Sequence, residues 1–389
     1  MLVVDDDAAC GRTLSTLLRR LGASEVVTAE TATQALERLE ASAFDLICCD
    51  LNMPGRDGVE TMRLFAERRV KSPLVIVSGA DLKVLKAAHA LGKSRGLAIA
   101  GVLQKPFGIA ELEAALASVA TLTKPRSKRP LPKVSAEELQ TAIERDQLIL
   151  HYQPQLNLHS GQLHGTEALV RWQHPERGLL MPDAFISLAE ASGLIAPLTD
   201  WVVKEAIRQG AAWQRAGLDI GASVNLSAQT LRELDLPDRI AEIAISAGLA
   251  PDRVTLEITE SKLADDLDSL LDITTRLRLK GFLLAIDDFG TGFSSLTQLR
   301  RLPFTELKLD RTFVSGATSD ADARSLLESS VQLAKRLRLK TVAEGIETEE
   351  EWNLLVWMGV DYGQGYYMAR PMPGEKLAPW YATWQSKVA

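Results

Sequence analysis

Fifteen residues constrain most strongly what this 389-residue chain can fold into. Between Thr121 and Ser135 it reads TLTKPRSKRPLPKVS. Pro125, Pro130 and Pro132 fix φ and remove backbone donors, so no regular helix or central strand can run through them. Lys124, Arg126, Lys128, Arg129 and Lys133 keep the stretch hydrated. Such a basic run could touch RNA or lipid, but within a proline-rich connector it reads as a solvated linker. Ser135 followed by Glu138 is a capping-box pattern that opens a helix beyond it. The expected division is therefore residues 1–120, a linker at 121–135, and 136–389, with each flanking part long enough to bury a core.

On both sides of the linker, short apolar runs alternate with helical periodicity. Before it the runs are Leu2 to Val4, Glu25 to Val27, Leu46 to Cys49, Leu74 to Val77 and Val102 to Leu103. Five βα units of this size predict an α/β fold, a doubly wound five-stranded parallel sheet. The chain begins inside the first run, which leaves open an upstream start or a weakened sheet edge. After the linker the strand candidates are Leu148 to Leu158, Leu163 to Trp172, Ala222 to Leu226, Val254 to Ile258 and Phe282 to Ile286. Three more follow at Glu306 to Leu309, Thr341 to Glu344 and Tyr362 to Tyr367. Eight strands in about 250 residues fit a modified TIM (β/α)8 barrel. The turn HSGQ between Leu158 and Leu163 is too short for a crossover, so the first strand should be antiparallel to the second.

Composition excludes several classes. Asp and Glu number 51 against 44 Lys and Arg, a net charge of −7, which argues against nonspecific nucleic-acid binding. No helix-turn-helix pattern follows the linker, so no DNA partner is expected. No apolar run approaches the ~18 residues of a membrane span, and MLVVDDD lacks the basic start of a secretory signal. Cys10 and the adjacent Cys48 and Cys49 form no disulfide framework. These features together lead to an expectation of a cytoplasmic protein that makes no use of a membrane.

In open parallel sheets, function gathers beyond the carboxyl ends of the strands. Asp5, Asp6 and Asp7 stand at the first strand end, Asp50 at the third, Ser78 at the fourth and Lys105 after the fifth. Asp7 by itself reads as a helix cap. Clustered carboxylates repel unless a cation compensates them, and an exposed Asp beside Mg²⁺, a hydroxyl and a lysine is a phosphoryl acceptor. These residues resemble the receiver domain of two-component response regulators over residues 1 to about 120. The resemblance implies phosphorylation of Asp50 by a sensor histidine kinase. It also implies one Mg²⁺ held by Asp5, Asp6 and the backbone carbonyl of Asn52, with Ser78 and Lys105 on the phosphoryl oxygens. Val102 stands where many receivers place an aromatic switch residue.

The second half carries polar residues where strands should be apolar: Glu167, Asn225, Glu257, Asp287 with Asp288, Lys308, Glu344 and Gln364, one position per successive strand. Five carboxylates facing one lysine demand cations, and oxygen ligands suit Mg²⁺ or Mn²⁺. Adjacent aspartates suggest two bridged ions, the arrangement for in-line attack on a phosphodiester. Taken singly, a barrel Glu can be half of an ion pair, Asn225 a cap and Lys308 a counter-ion.

The segments EALVRW, SVNLS, LEITES, IDDFGTGFSSL, ELKLDRTFV, AEGIE and QGYYMARPMP resemble the EAL-domain cyclic di-GMP phosphodiesterases over about residues 140–380. That resemblance implies hydrolysis of cyclic di-GMP to linear pGpG with two Mg²⁺ or Mn²⁺. Glu167, Asn225, Glu257 and Asp287 would hold the first ion, and Asp287, Asp288 and Glu344 the second. Lys308 would hold the attacking water and Gln364 orient it, with Glu344 also a candidate general base. Arg171 would pair with a phosphate through its planar fork, and Gln153 and Asp310 would contact the ligand. Glu260 would anchor the loop from Asp288 to Leu296, whose Gly290 and Gly292 give backbone freedom and which leads to the family's dimer interface. A homodimer or higher homo-oligomer through this domain is implied. The reading is a response-regulator phosphodiesterase; the alternatives are a non-catalytic cyclic di-GMP receptor and a receiver-controlled scaffold.

Overall fold

The computed structural model describes residues 1–123, 134–227, 229–260, 267–290 and 296–388. The chain forms two compact units, Met1–Arg129 and Pro130–Ala389.

The first unit alternates β1 (Leu2–Val4), α1 (Ala8–Arg20), β2 (Val27–Ala29), α2 (Ala32–Ala41), β3 (Ile47–Asp50), α3 (Gly58–Glu67), β4 (Leu74–Ser78), α4 (Leu82–Ser94), β5 (Ile99–Gln104) and α5 (Ile109–Thr123). The strands form one parallel sheet in the order β2-β1-β3-β4-β5. Alternate side chains serve opposite faces. Leu2, Val4, Ile47, Cys49 and Ile76 pack with Leu36, Met62, Phe65 and Leu85. Val3, Cys48, Val75 and Val77 pack with Leu14, Leu18 and Leu112 on the other face. Two expectations need correction. The first strand lies inside the sheet, not at its edge. The second begins two residues later than the apolar run Glu25 to Val27, because Val27, Thr28 and Ala29 are what register against Leu2, Val3 and Val4.

The second unit opens with α6 (Ala136–Glu144), capped by Ser135 and Glu138 in a complete capping box. The chain continues through β6 (Leu148–Asn157), β7 (Leu163–His174), β8 (Gly178–Leu180), α7 (Ile186–Ser192), α8 (Ile195–Arg215), β9 (Gly221–Asn225), α9 (Leu236–Ala247), β10 (Val254–Thr259), α10 (Leu267–Leu279) and β11 (Leu283–Phe289). Next come α11 (Leu296–Arg301), β12 (Glu306–Leu309), α12 (Arg311–Val314), α13 (Ala321–Arg336), β13 (Lys340–Ala343), α14 (Glu349–Met358), β14 (Tyr362–Gly363), β15 (Met372–Pro373) and α15 (Leu377–Val388). Eight strands close in the order β6-β14-β13-β12-β11-β10-β9-β7, with β7 returning to β6. β6 is antiparallel to both its barrel neighbours and every other barrel pairing is parallel. The hairpin and the antiparallel first strand are therefore as the turn length implied. β8 and β15 add to the wall outside the ring.

The last barrel strand is shorter than the expected Tyr362 to Tyr367. Beyond Gly363 the chain turns, since Tyr367 N–H bonds the carbonyl of Ile346 and Met368 and Ala369 bond that of Gly365. A Cβ at Gly365 would fall 2.1 Å from the Ile346 carbonyl oxygen. That close approach of two backbones requires glycine and ends the strand there.

Candidate functional site

In the first unit the carboxyl ends of β1 and β3 bring Asp5 and Asp50 to one lysine. Lys105 Nζ donates to Asp5 Oδ2 at 2.8 Å and to Asp50 Oδ2 at 2.6 Å. Asp5, Asp6 and Asp50 each present an oxygen within 4.8 Å of the others, so an all-oxygen cation site fits there. The N–H of Asn52 donates to Asp50 Oδ1 at 3.0 Å and holds that carboxylate against the loop. Asp50 registers against Val77, which sets Ser78 at the adjoining strand end, buried, with its Oγ accepting from Ala80 N–H. Burial works against the charge of Lys105, yet its bonds to Asp5 and Asp50 hold its pKa above the ordinary value. Asp7 caps α1 through Ala9 and Cys10 N–H.

In the second unit the site is built around Lys308, which is 1% exposed. Its Nζ lies 2.7 Å from Glu257 Oε2, 2.8 Å from Glu344 Oε1, 3.1 Å from Asp287 Oδ1 and 3.7 Å from Glu167 Oε1. The strands place these groups: Glu167 on β7, Glu257 on β10, Asp287 on β11, Lys308 on β12 and Glu344 immediately after β13. Consecutive strand residues ordinarily face opposite ways, and a bulge is what lets Asp287 and Asp288 serve one site. Between Ile286 and Phe289 β11 advances three residues while β12 advances two, and Asp288 takes φ +55°. A non-glycine residue in that left-handed region is strained, and strain of this kind gathers at functional sites. Asp287, Asp288 and Glu344 then offer oxygens within 4.8 Å of one another.

The charges are unbalanced. Glu167, Glu257, Asp287, Asp288 and Glu344 are five carboxylates, and Lys308 is the ammonium in contact with four of them. Burial pushes Glu257 well above the carboxylate range despite the pull of Lys308. Burial likewise raises Glu344 to about 8, with Glu167 and Asp287 adding repulsion. Asp288 is raised by burial and then by Asp287. Lys308 stays well above its usual value; burial alone would lower it, and Glu167, Glu257 and Glu344 reverse that. A hard divalent cation suits such a set because it supplies positive charge to oxygen donors already gathered.

Amides complete the wall. Asn225 Nδ2 donates to Glu167 Oε1 at 3.1 Å. Gln364 Nε2 donates to Glu167 Oε2 at 2.6 Å and to Glu344 Oε1 at 3.1 Å. Gln153 instead spends its Nε2 on the carbonyl of Ala369 at 3.2 Å. Arg171 is buried, shares the strand face of Glu167, and donates Nη1 to the carbonyl of Val170 at 2.8 Å. Asp310 caps α12 through Thr312. Glu260 Oε2 accepts from Gly290 N–H at 2.6 Å, tying the end of β10 to the start of the loop after β11. Gly290, at φ +92°, lies against the Phe313 ring where a Cβ would not fit. Gly292 and its neighbours to Ser295 lie outside the described residues.

A cavity of about 240 Å³ opens over this cluster, lined in part by Gln153, Glu167, Glu344 and Gln364. Its rim includes Arg311, Glu347 and Tyr366, which the sequence reading passed over. Arg311 Nη2 pairs with Glu347 Oε1 at 2.9 Å, and the Arg370 guanidinium covers one face of Tyr366 at 4.1 Å. Gln155 was also passed over, although it follows Gln153 by two and so shares its strand face.

The family of EAL domains has a model that matches residues 136–371. The chain belongs to the EAL domain family. Residues 1–117 match the response regulator receiver domain. The barrel is similar to MucR of Pseudomonas aeruginosa, described as a bifunctional diguanylate cyclase/cyclic di-GMP phosphodiesterase. The two are 43% identical over 241 residues, which are 62% of this chain and 35% of MucR. The chain thus spans about a third of the length of that relative. Both halves are covered by similarity to cyclic di-GMP phosphodiesterase RocR of the same organism, 31% identical over 380 residues and 96% of each chain. Among solved structures, the MucR phosphodiesterase in complex with c-di-GMP matches 62% of this chain and 98% of its own, at a TM-score of 0.60 and 42% identity. Among the described residues no helix is long and apolar enough to cross a membrane.

Proposed function

We propose that this EAL protein is a response regulator that hydrolyses cyclic di-GMP to linear pGpG. Residues 1–120 form its receiver, 121–135 its connector and 136–389 its catalytic barrel. The observation that carries the reading is the junction of Lys308 with Glu167, Glu257, Asp287 and Glu344 at the strand ends of an EAL barrel. The relatives named above as phosphodiesterases support the substrate.

Glu167, Asn225, Glu257 and Asp287 would hold one Mg²⁺ or Mn²⁺, and Asp287, Asp288 and Glu344 a second. Two such ions, when bound, polarise the phosphate and acidify water. Arg171 binds a phosphate, and Gln153 and Asp310 hold the rest of the dinucleotide. Lys308 Nζ holds the attacking water, Gln364 orients it, and a carboxylate oxygen of Glu344 takes its proton. The water oxygen bonds to phosphorus as the P–O3′ bond breaks in line, and the departing 3′-oxygen takes a proton from solvent, leaving a 5′-phosphate and a free 3′-hydroxyl. The apolar cavity of about 340 Å³ beside Leu169 and Asn225 gives room for a base, with Glu190 on its lining.

Phosphorylation of Asp50 by a sensor histidine kinase, with Mg²⁺ on Asp5, Asp6 and Asn52 and with Ser78 and Lys105 on the phosphoryl group, regulates the barrel. A dimer through the EAL domain transmits the signal along the loop that Glu260 anchors. The first experiment incubates purified protein with cyclic di-GMP, Mg²⁺ and beryllofluoride and separates pGpG by chromatography. Product from the wild type and none from Glu167→Ala is expected. No product even with beryllofluoride overturns the proposal.

A further inference from the structure

Gln364 faces Glu167 and Glu344 with its nitrogen. A primary amide is nearly symmetrical in shape, and turned over it would set an oxygen against two carboxylates. The buried side chain of Gln155, 3% exposed, holds that orientation from the other end, because its Nε2 donates to Gln364 Oε1 at 3.0 Å. An amide oxygen held by that donor leaves Nε2 of Gln364 for Glu167 Oε2 and Glu344 Oε1. Gln155 is itself placed by the antiparallel strand β6, where it registers against Gly165. A Cβ at Gly165 would stand in ordinary contact with it, 3.4 Å from Gln155 Oε1.

We infer that Gln155 is a positioning residue for the phosphodiesterase reaction, fixing the orientation of Gln364 and through it the carboxylates of Glu167 and Glu344. The inference rests on the catalytic reading above, but the hydrogen bond it invokes can be tested without turnover. Gln155→Met conserves volume and removes the donor. Partners of this outer kind typically change activity roughly 10- to 100-fold when lost. In Gln155→Met, kcat should fall by that factor with KM within about twofold, and the double variant Gln155→Met/Gln364→Met should be no slower than Gln364→Met alone.

The second readout is side-chain amide NMR of the metal-free protein, with the Gln364 NH₂ signal assigned by its loss in Gln364→Met. That signal should exchange with solvent at least tenfold faster in Gln155→Met. Unchanged exchange, or additive losses in the double variant, overturns the inference. Wild-type protein that makes no pGpG but loses protection in Gln155→Met keeps the positioning role and removes only the proposed reaction.

Discussion

The two acidic pockets are made from the same parts and differ in what surrounds them. Each sets strand-end carboxylates around one lysine. Lys105 pairs with Asp5 and Asp50 and its side chain remains 22% exposed, whereas Lys308 touches four carboxylates and is 1% exposed. Water still reaches the ammonium of the first pocket, although its partners Asp5 and Asp50 are buried. The second sets five carboxylates against one fully buried ammonium, and Glu257 and Glu344 are driven upward in pKa. Burial of the lysine and the number of carboxylates around it, more than residue type, separate the two pockets.

The sharpest way to break that comparison is to remove each lysine. Lys308→Met leaves buried carboxylates unpaired and should cost about 3–5 kcal/mol of barrel stability, with activity down on the order of 10³-fold. Lys105→Met removes an ammonium that water already reaches and that touches two carboxylates instead of four, and should cost less, about 1–2 kcal/mol. Denaturant unfolding of the full chain reads both. Equal losses would mean that burial does not distinguish the pockets.

Cations test the same difference from the other side. Saturating Mn²⁺ at 1,000 times its Kd should stabilise the barrel by about 4 kcal/mol in calorimetry of the full chain. Glu257→Gln should abolish that gain and Asp5→Asn should leave it. The reverse pattern would place the principal cation demand in the first unit.

Much of this was legible before any coordinates. Runs such as LVIV at 74–77 and LEIT at 256–259 announce parallel strands because both faces of such strands are buried. A charged residue inside them stands out for the same reason, which is how Glu257 and Lys308 draw attention. What stayed hidden depends on distances between strands far apart in sequence. Nothing local says that Gln155 meets Gln364 across 209 residues. Nor does DDF reveal a bulge that turns Asp288 to φ +55°. The short β14 escaped because its end is set by the backbone of Ile346, not by the apolar run Tyr362 to Tyr367.

An effect that depends on pH lies beneath Lys308, at Glu306. It starts β12, is 6% exposed, and accepts on its Oε1 a long hydrogen bond from the Thr255 hydroxyl at 3.5 Å. Burial raises it from 4.5 to about 7, although Lys308 draws it back. The folded protein therefore holds a proton that the unfolded chain releases near pH 4.5. Below that pH both states are protonated and the residue costs nothing. Between 4.5 and 7 stability falls as pH rises, and above 7 the full penalty of about 3 kcal/mol applies. Glu306→Gln should match the wild type at pH 4 and exceed it by about 3 kcal/mol at pH 8, measured by urea unfolding. If the two remain equal at pH 8, Lys308 compensates Glu306 as well as it does the carboxylates it touches, and burial alone does not set the charge demand of this barrel.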